Sequence, residues 1–339
     1  MAVGLDCGTA FYIAAREDVI RTERNAFLTI DGDASSVKRM LLRKKIPFVE
    51  RNKRVHIVGK HAFEYAQIFG NSELKRPMKS GLLNPTERDA LPVLKGIIGS
   101  LLGDPKKEGE LCVYCVPSKP IDAESLVDYH EDVLANIISS LGYTPRSLPE
   151  ANALAYEGLV DDDLTGISIS MGAGMCNLSI MYQGIAASNF SVSKGGDFID
   201  EHVSMDTGVP TAKCQYIKED PSTNLGNAKV KFDTDGPRVV DETDQNNVQT
   251  AIKTYYGVLI NYLLANLSKR FEADNNIPNF PEPVPIIIGG GTSMVPGFIE
   301  YFTKKYNDSN LPIDLKGISQ VPDPHNAVAK GCLSEALLG

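Results

Sequence analysis

No run of apolar residues in this 339-residue chain approaches the roughly 18 that a membrane-spanning helix requires. No leader-like stretch precedes the first strand-like segment, MAVGLDCG, so a cytoplasmic protein is expected. A positive balance is missing as well. Lys and Arg total 34 against 43 Asp and Glu, the net charge is −9 and the pI is about 5.2, which argues against direct nucleic-acid binding. One basic cluster, VKRMLLRKK (Val37 to Lys45), runs against that balance and reads as the solvated face of an amphipathic segment. The six cysteines have no framework spacing. Cys112 and Cys115 in ELCVYCVPS have the look of a metal or redox pair, but that stretch reads as a buried strand. Residues three apart on a strand face opposite sides, which makes these plain core thiols.

What is present is a soluble composition, 42% hydrophobic and 23% charged, on a chain long enough for two domains. Residues 167–178, ISISMGAGMCNL, alternate apolar residues around a glycine turn and read as a β-hairpin. Such a turn lets backbone N–H groups approach a phosphate, yet no carboxylate stands nearby to hold magnesium or its waters. Residues 3–15, VGLDCGTAFYIAA, share the same plan about half a chain earlier. In both, a strand ends (Asp6 or Ser170), an apolar residue and a glycine follow (Gly8 or Gly172), and a strand returns. ELCVYCVP and VPIIIGGG also correspond, each a late buried strand. An internal duplication at domain scale is expected, with two glycine hairpins facing each other across one cleft, a pincer for a polyphosphate.

Between these landmarks, residues 31–75 look like a small basic insertion. Asp122 to Leu141 reads as an amphipathic helix with Asp122 as N-cap and Gly142 as its stop. PEANALAYEGL (149–159), KGGDFIDEHV (194–203) and TAKCQYIKE (211–219) begin helices. Residues 220–245 are polar and expected to form a small peripheral sheet and loops. Val248 to Ala273 is a long helix. PVPIIIGGGTSMVPGF (283–298) is a buried strand breaking into three glycines and a helix, with Thr292 or Ser293 available as cap and Pro296 in its first turn. NAVAKGCLSEALL (326–338) is the closing helix.

Together GLDCGT, LPEANALAYEG, SMGAGM, PIIIGGGTSMVPG and DPHNAVAKGCL resemble, in order and spacing, the motifs of the actin-like ATPase superfamily. The bacterial filament proteins of the MreB and MamK type look closest, and RPMKSGLL and VSKGGDFIDEHV are also similar to stretches of MreB. The resemblance spans nearly the whole chain. It implies an α/β, actin-like (ribonuclease H-like) duplicated fold with two lobes around a nucleotide cleft. Lobe I would be 1–150, with the inserted subdomain at about 31–75. Lobe II would be 151–339, with a peripheral subdomain at about 190–250 and helix 326–338 packing back towards lobe I. The ligands implied are ATP or ADP with Mg2+, and the partner is the chain itself, polymerised into a cytoplasmic filament; membrane association stays open.

Each motif also has a local reading. Asp6 ends a buried strand, where an aspartate either stabilises the turn or binds the waters around magnesium. Gly8, Thr9, Ala10, Gly172, Ala173 and Gly174 are either ordinary hairpin residues or backbone donors to phosphates. Gly289, Gly290 and Gly291 let backbone lie against a base or an α-phosphate, with Thr292 beside them and Met294 against the adenine. The resemblance places Lys218 and Glu219 at the ribose and base, with Gln215 one turn earlier on the same face, where the alternative is a solvated helix end; it places Gly195, Gly196 and Asp197 at the nucleotide edge, where Asp197 otherwise caps its helix. Glu150 either meets a helix dipole or orients the attacking water.

The chain departs from the family in its second phosphate motif. Where an aspartate and then a threonine and an acid are usual, it has Ser170, Met175, Cys176 and Asn177; Phe11 and Tyr12 replace small polar residues in the first. Nucleotide binding is therefore expected to survive better than ATP hydrolysis. The alternatives are a non-polymerising regulatory or chaperone-type protein of the same fold, a sugar or acetate kinase, and a nucleotide-binding scaffold without catalysis. The chain ends after the closing helix, which leaves no room for a chaperone's peptide-binding domain, and no second-substrate base is recognisable.

Overall fold

Two buried runs, AVGLDC and FYIAAR, and an exposed one, VIRTER, separated by tight turns make the chain begin as a meander. The computed structural model describes residues 2–30, 35–68, 74–226, 242–309 and 311–338. It opens with β1 (Ala2–Cys7), β2 (Phe11–Arg16) and β3 (Val19–Arg24). A small unit follows, with β4 (Phe27–Ile30), α1 (Ser35–Lys44), β5 (Phe48–Arg51), β6 (Arg54–Val58), α2 (Lys60–Ile68) and β7 (Leu74–Lys75). Its four strands pair in the order β5-β6-β4-β7 over a core of their own that includes Leu28, Leu41 and Ile57. β8 (Met78–Lys79) and β9 (Leu82–Leu83) form a short hairpin, followed by α3 (Ala90–Leu102), β10 (Glu110–Val116), α4 (Val127–Ser140) and β11 (Tyr143–Pro149). Helix α5 (Glu150–Gly158) leads to β12 (Gly166–Met171), β13 (Cys176–Tyr182) and β14 (Ile185–Val192). Helices α6 (Gly196–Thr207), α7 (Thr211–Glu219) and α8 (Glu242–Ala273) come next. The chain closes with β15 (Val284–Gly289), α9 (Phe298–Asn307), β16 (Leu315–Gln320) and α10 (Ala327–Leu338).

The two large sheets have one topology. The first runs β11-β10-β1-β2-β3 and the second, read from its other edge, β16-β15-β12-β13-β14. In each, the leading strand pairs antiparallel with its hairpin partner and parallel with the late buried strand: β1 with β2 and β10, β12 with β13 and β15. The duplication expected from the two glycine hairpins is present, and with it the mixed α/β class.

Each sheet carries its own core, but α5 and α10 both belong to the first. Ala153, Leu154, Ala327, Val328 and Cys332 join Leu5, Ile13 and Val113 in one apolar cluster. Glycines set how closely these elements meet. A Cβ on Gly331 would lie 1.7 Å from the Ala153 carbonyl oxygen, and one on Gly4 2.2 Å from that of Ala329, so α10 crosses α5 and β1 backbone to backbone. Such crossings fix the floor on which both hairpins stand.

Several expectations are corrected. Helix α4 starts at Val127, and Asp122 caps nothing. The residues between β10 and α4 run extended beside β14, with Ile121 N–H donating to Ser191 O and Ser191 N–H to Lys119 O. Asp122 there accepts from Ser193 N–H, Lys194 Nζ and Tyr262 Oη at 2.8, 3.3 and 3.1 Å, tying this strap to the second half of the chain. Helix α8 begins at Glu242, six positions before the apolar stripe does. The three glycines lead into a 3-10 turn, Gly291–Met294, and α9 starts only at Phe298 behind Gly297 at φ 77°. Thr292 and Ser293 therefore do not cap an α-helix, and Pro296 precedes it. The peripheral sheet expected across 220–245 falls largely on 227–241, outside the described residues. The strands β11 and β16 were not read in advance, nor was helix α3, although its buried residues Ala90, Val93, Leu94, Ile97, Ile98, Leu101 and Leu102 follow the helical period.

Candidate functional site

The two hairpin turns meet a third. Gly81, between β8 and β9, donates its N–H to Thr9 Oγ1 at 3.0 Å. A Cβ on Gly174 would lie 2.3 Å from Gly81 N and 2.5 Å from Thr9 Oγ1, so only glycine allows the three turns to interlock. Thr292 Oγ1 donates to Gly172 O at 2.9 Å, joining the glycine run after β15 to the second hairpin. Gly290, at φ 87°, brings that run against the Met171 backbone, 2.4 Å from a would-be Cβ.

Between these turns lies a cavity of about 480 Å³. Of the residues singled out from the sequence, Asp6, Gly8, Thr9, Ala10, Glu150, Ser170, Gly172, Ala173, Gly174, Asp197, Gln215, Lys218, Glu219, Gly290, Gly291, Thr292 and Met294 line it. Three stand behind it. The Gly196 and Asp197 N–H groups donate to Gly172 O and Ala173 O, and Gly195 abuts the same carbonyls, so this turn buttresses the hairpin and leaves only the Asp197 side chain on the wall. Gly289 faces Leu154 in the core.

The floor carries the charge. Burial pushes the Asp6 carboxyl up, against a Cys115 thiol that donates to Asp6 Oδ1 at 3.2 Å. The Glu150 carboxyl is pushed up by burial and further by Asp6, while hydrogen bonds from Ser170 and Asn177 pull it down. Glu150 stands first in α5, where Pro149 turns the chain into the helix and aims the side chain at the hairpin. Ser170 Oγ is committed to Glu150 at 2.7 Å. Where the family has an acid, this chain thus has a hydroxyl that donates to a carboxylate. All six cysteines are free and buried, as core thiols should be, though sequence gave no hint that Cys115 touches Asp6.

On the far wall Lys218 turns inward, donating to Asp200 Oδ2 at 2.6 Å and Gly196 O at 2.9 Å. Burial lifts the Asp200 carboxyl to about 6 against the pull of that ammonium. Lys218 is thus spoken for by the protein, and Glu219, bonded by Gln215 at 2.8 Å, is the freer group. Arg76 reaches across from the first half of the chain to Asp197, at 2.9 and 3.0 Å, and to Gln215 at 3.4 Å. Sequence reasoning missed it, as it missed Phe11 and His325 as a pair. Their rings meet edge-on at 5.0 Å on the wall, with Arg24 over the Phe11 face at 4.7 Å.

These residues fit a nucleotide with a hydrated cation. Among the described residues, no hydrogen bond uses the N–H groups of Thr9, Ala10, Ala173 or Gly174, which leaves donors at both turns. Lys218 is the one Lys or Arg on the described wall, against Asp6, Glu150, Asp197, Glu219 and Asp220, so a polyanion needs a cation as companion. No cluster of three or more His, Cys, Asp or Glu among the described residues could hold a metal alone. That suits Mg2+, which keeps its waters and binds through phosphates and one or two carboxylates.

Two five-stranded sheets of one topology, closing on a cavity walled by three glycine turns, make an actin-like fold. The chain belongs to the Volactin family, whose model matches residues 1–336. Among solved structures, the MamK double helical filament superposes with a TM-score of 0.73 at 16% identity, covering 99% of this chain and 98% of that one. A non-polymerising MamK mutant bound to AMPPNP gives 0.59 at 17%, covering 99% and 98%. MreB5 of Spiroplasma citri bound to AMPPNP gives 0.63 at 15%, covering 97% and 93%. A comparison with curated protein sequences finds no match. Among the described residues no helix is long and apolar enough to cross a membrane.

Proposed function

We propose that this protein binds ATP or ADP with Mg2+ in the cavity, assembles head-to-tail into filaments, and hydrolyses ATP slowly. The observation that carries the reading is the pair of duplicated glycine turns, each with open N–H groups, facing one cavity over the Asp6 and Glu150 carboxylates. We take 1–150 and 151–339 as the two lobes, with small units at about 31–75 and 190–250, and α10 as the helix returning to lobe I. Polymerisation rests on the likeness to MamK in its filament and to MreB5. Head-to-tail contacts between unlike faces give an open filament where the rotation per subunit does not close into a ring.

The roles follow from the wall. The N–H groups of Thr9, Ala10, Ala173 and Gly174 donate to the phosphates, while Gly8 and Gly172 shape the two turns, the Gly172 N–H being held by Met175 O. Gly290, Gly291 and Met294 lie against the base, and Glu219 and Gln215 accept from and donate to the ribose. Asp6 would hold water around a bound cation, which would supply charge neutralisation for the phosphates. Glu150 orients the attacking water. Ser170 brings no charge where the family has an acid, which lowers the field available to align that water.

Calorimetric titration with ATP, with and without Mg2+, tests the site. Binding that depends on Mg2+ is expected, and absence of binding at millimolar ATP overturns it. Electron microscopy with ATP and Mg2+ tests assembly, and monomers that persist at high concentration would sink it. Phosphate release from wild type and Glu150→Gln tests hydrolysis, with slow turnover expected to vanish in the variant.

A further inference from the structure

Both oxygens of the Glu150 carboxylate are held. Ser170 Oγ donates to Oε1 at 2.7 Å and Asn177 Nδ2 donates to Oε2 at 2.9 Å. Asn177 in turn accepts the backbone N–H of Ser118 through Oδ1 at 3.0 Å. Among uncharged side chains of this length only an amide does both, offering a donor to an acceptor-only carboxylate and an acceptor to a peptide N–H. The opposite amide orientation would set oxygen against carboxylate and NH2 against N–H, so the chemistry fixes its direction. An acid at this place, as in the family pattern, would press two carboxylates together.

Asn177 is fully buried and is not on the cavity wall, so it reaches a bound ligand only through Glu150. Its anchor, Ser118, lies in the strap between β10 and α4. Ser191, the cross-strand partner of Asn177, holds the other side of that residue, donating Oγ to Ser118 O at 2.7 Å. The strap is therefore gripped by two neighbouring strands, and one of the two grips continues to the floor of the cleft.

We propose that Asn177 is the positioning residue for Glu150, fixing its aim at the attacking water from an anchor on the Ser118 strap. This rests on the cavity being an ATP site in which Glu150 orients water. The hydroxyl and amide that replaced the family's acids then serve one carboxylate, and the chain has exchanged charge near the phosphates for a held Glu150.

The test is steady-state phosphate release together with nucleotide binding and thermal unfolding, for wild type, Glu150→Gln, Asn177→Ala, Asn177→Asp and the double variant Asn177→Asp/Glu150→Gln. Misaiming a catalytic group by about an ångström costs up to about 100-fold. Asn177→Ala and Asn177→Asp should lower kcat roughly 10- to 100-fold with KM and ATP affinity within about twofold. The double variant re-pairs an amide with a carboxylate, so its Tm should return towards wild type while turnover stays absent. If Glu150→Gln stops turnover but both single variants keep kcat within about twofold, the positioning role is wrong and the site reading stands. If kcat and ATP affinity fall and KM rises together, in step with Tm, Asn177 is merely structural and the proposal is likewise wrong. If Glu150→Gln itself leaves turnover unchanged, the site reading falls and takes the positioning role with it.

Discussion

At the scale of the residue, Ser170 is the position whose meaning changed most. In the sequence it is a missing acid, and in the fold it is a donor to Glu150 Oε1. Ser170→Asp would set a third carboxylate beside Asp6 and Glu150, with no donor to offset it. We expect a lower Tm than wild type in EDTA and a larger recovery on adding Mg2+ and ATP, followed by scanning calorimetry. His130 of α4 is a second case. It is buried, neither ring nitrogen has a hydrogen-bond partner among the described residues, and burial pushes its pKa down to about 4. The unfolded chain, with an ordinary histidine near 6.5, binds the proton first. Stability is thus complete above about pH 6.5 and is lost as pH falls towards 4, by about 2 kcal/mol at pH 5. Urea unfolding of His130→Leu at pH 7 and pH 5 should show that part of the slope removed.

At the scale of the element, the crossings of α10 decide whether the floor forms. Gly331→Ala would place a methyl 1.7 Å from the Ala153 carbonyl oxygen, backbone that has nowhere to go. A loss of about 3 kcal/mol or failure to fold is expected. Gly317→Ala on β16 meets nothing within 4 Å and should be neutral or slightly stabilising. Chemical denaturation of the pair separates a packing requirement from ordinary glycine entropy. The helices α5, α6, α7 and α10 were legible because each has a clear start signal or stripe. The start of α9 was not, since the sequence TSMVPG supports a capped helix as readily as the 3-10 turn that Gln320, from β16, holds through Ser293 O at 2.7 Å. Asp122 misled for the same reason: a helix cap and a tether to Tyr262 and Ser193 call for the same carboxylate.

At the scale of the molecule, Arg76 spans the mouth of the cleft. Its ion pair with Asp197, made by Nη1 alone, is partly exposed, at 26% and 28%, so it is worth about 1 kcal/mol after solvent screening. Arg76→Ala should speed release of a fluorescent ATP analogue about fivefold in stopped flow, and raised salt should narrow the difference. Arg76→Lys should recover only part, because Nη1 holds Asp197 while Nη2 reaches Gln215, and a single ammonium nitrogen cannot stand in both places.

The sequence by itself determined the duplicated sheets, the two hairpins, the glycine run and most of the cavity wall. Those features are local: strand periodicity and glycine turns are written in neighbouring residues, and the repeat doubled the signal. The tertiary structure alone decided which groups are free. Lys218 is paired with Asp200, Gly195 and Gly196 buttress the hairpin, Ser170 and Asn177 hold Glu150, and Arg76 bridges residues 121 and 139 positions away. A hydrogen-bond partner is set by distance in space, and no spacing along the chain records that.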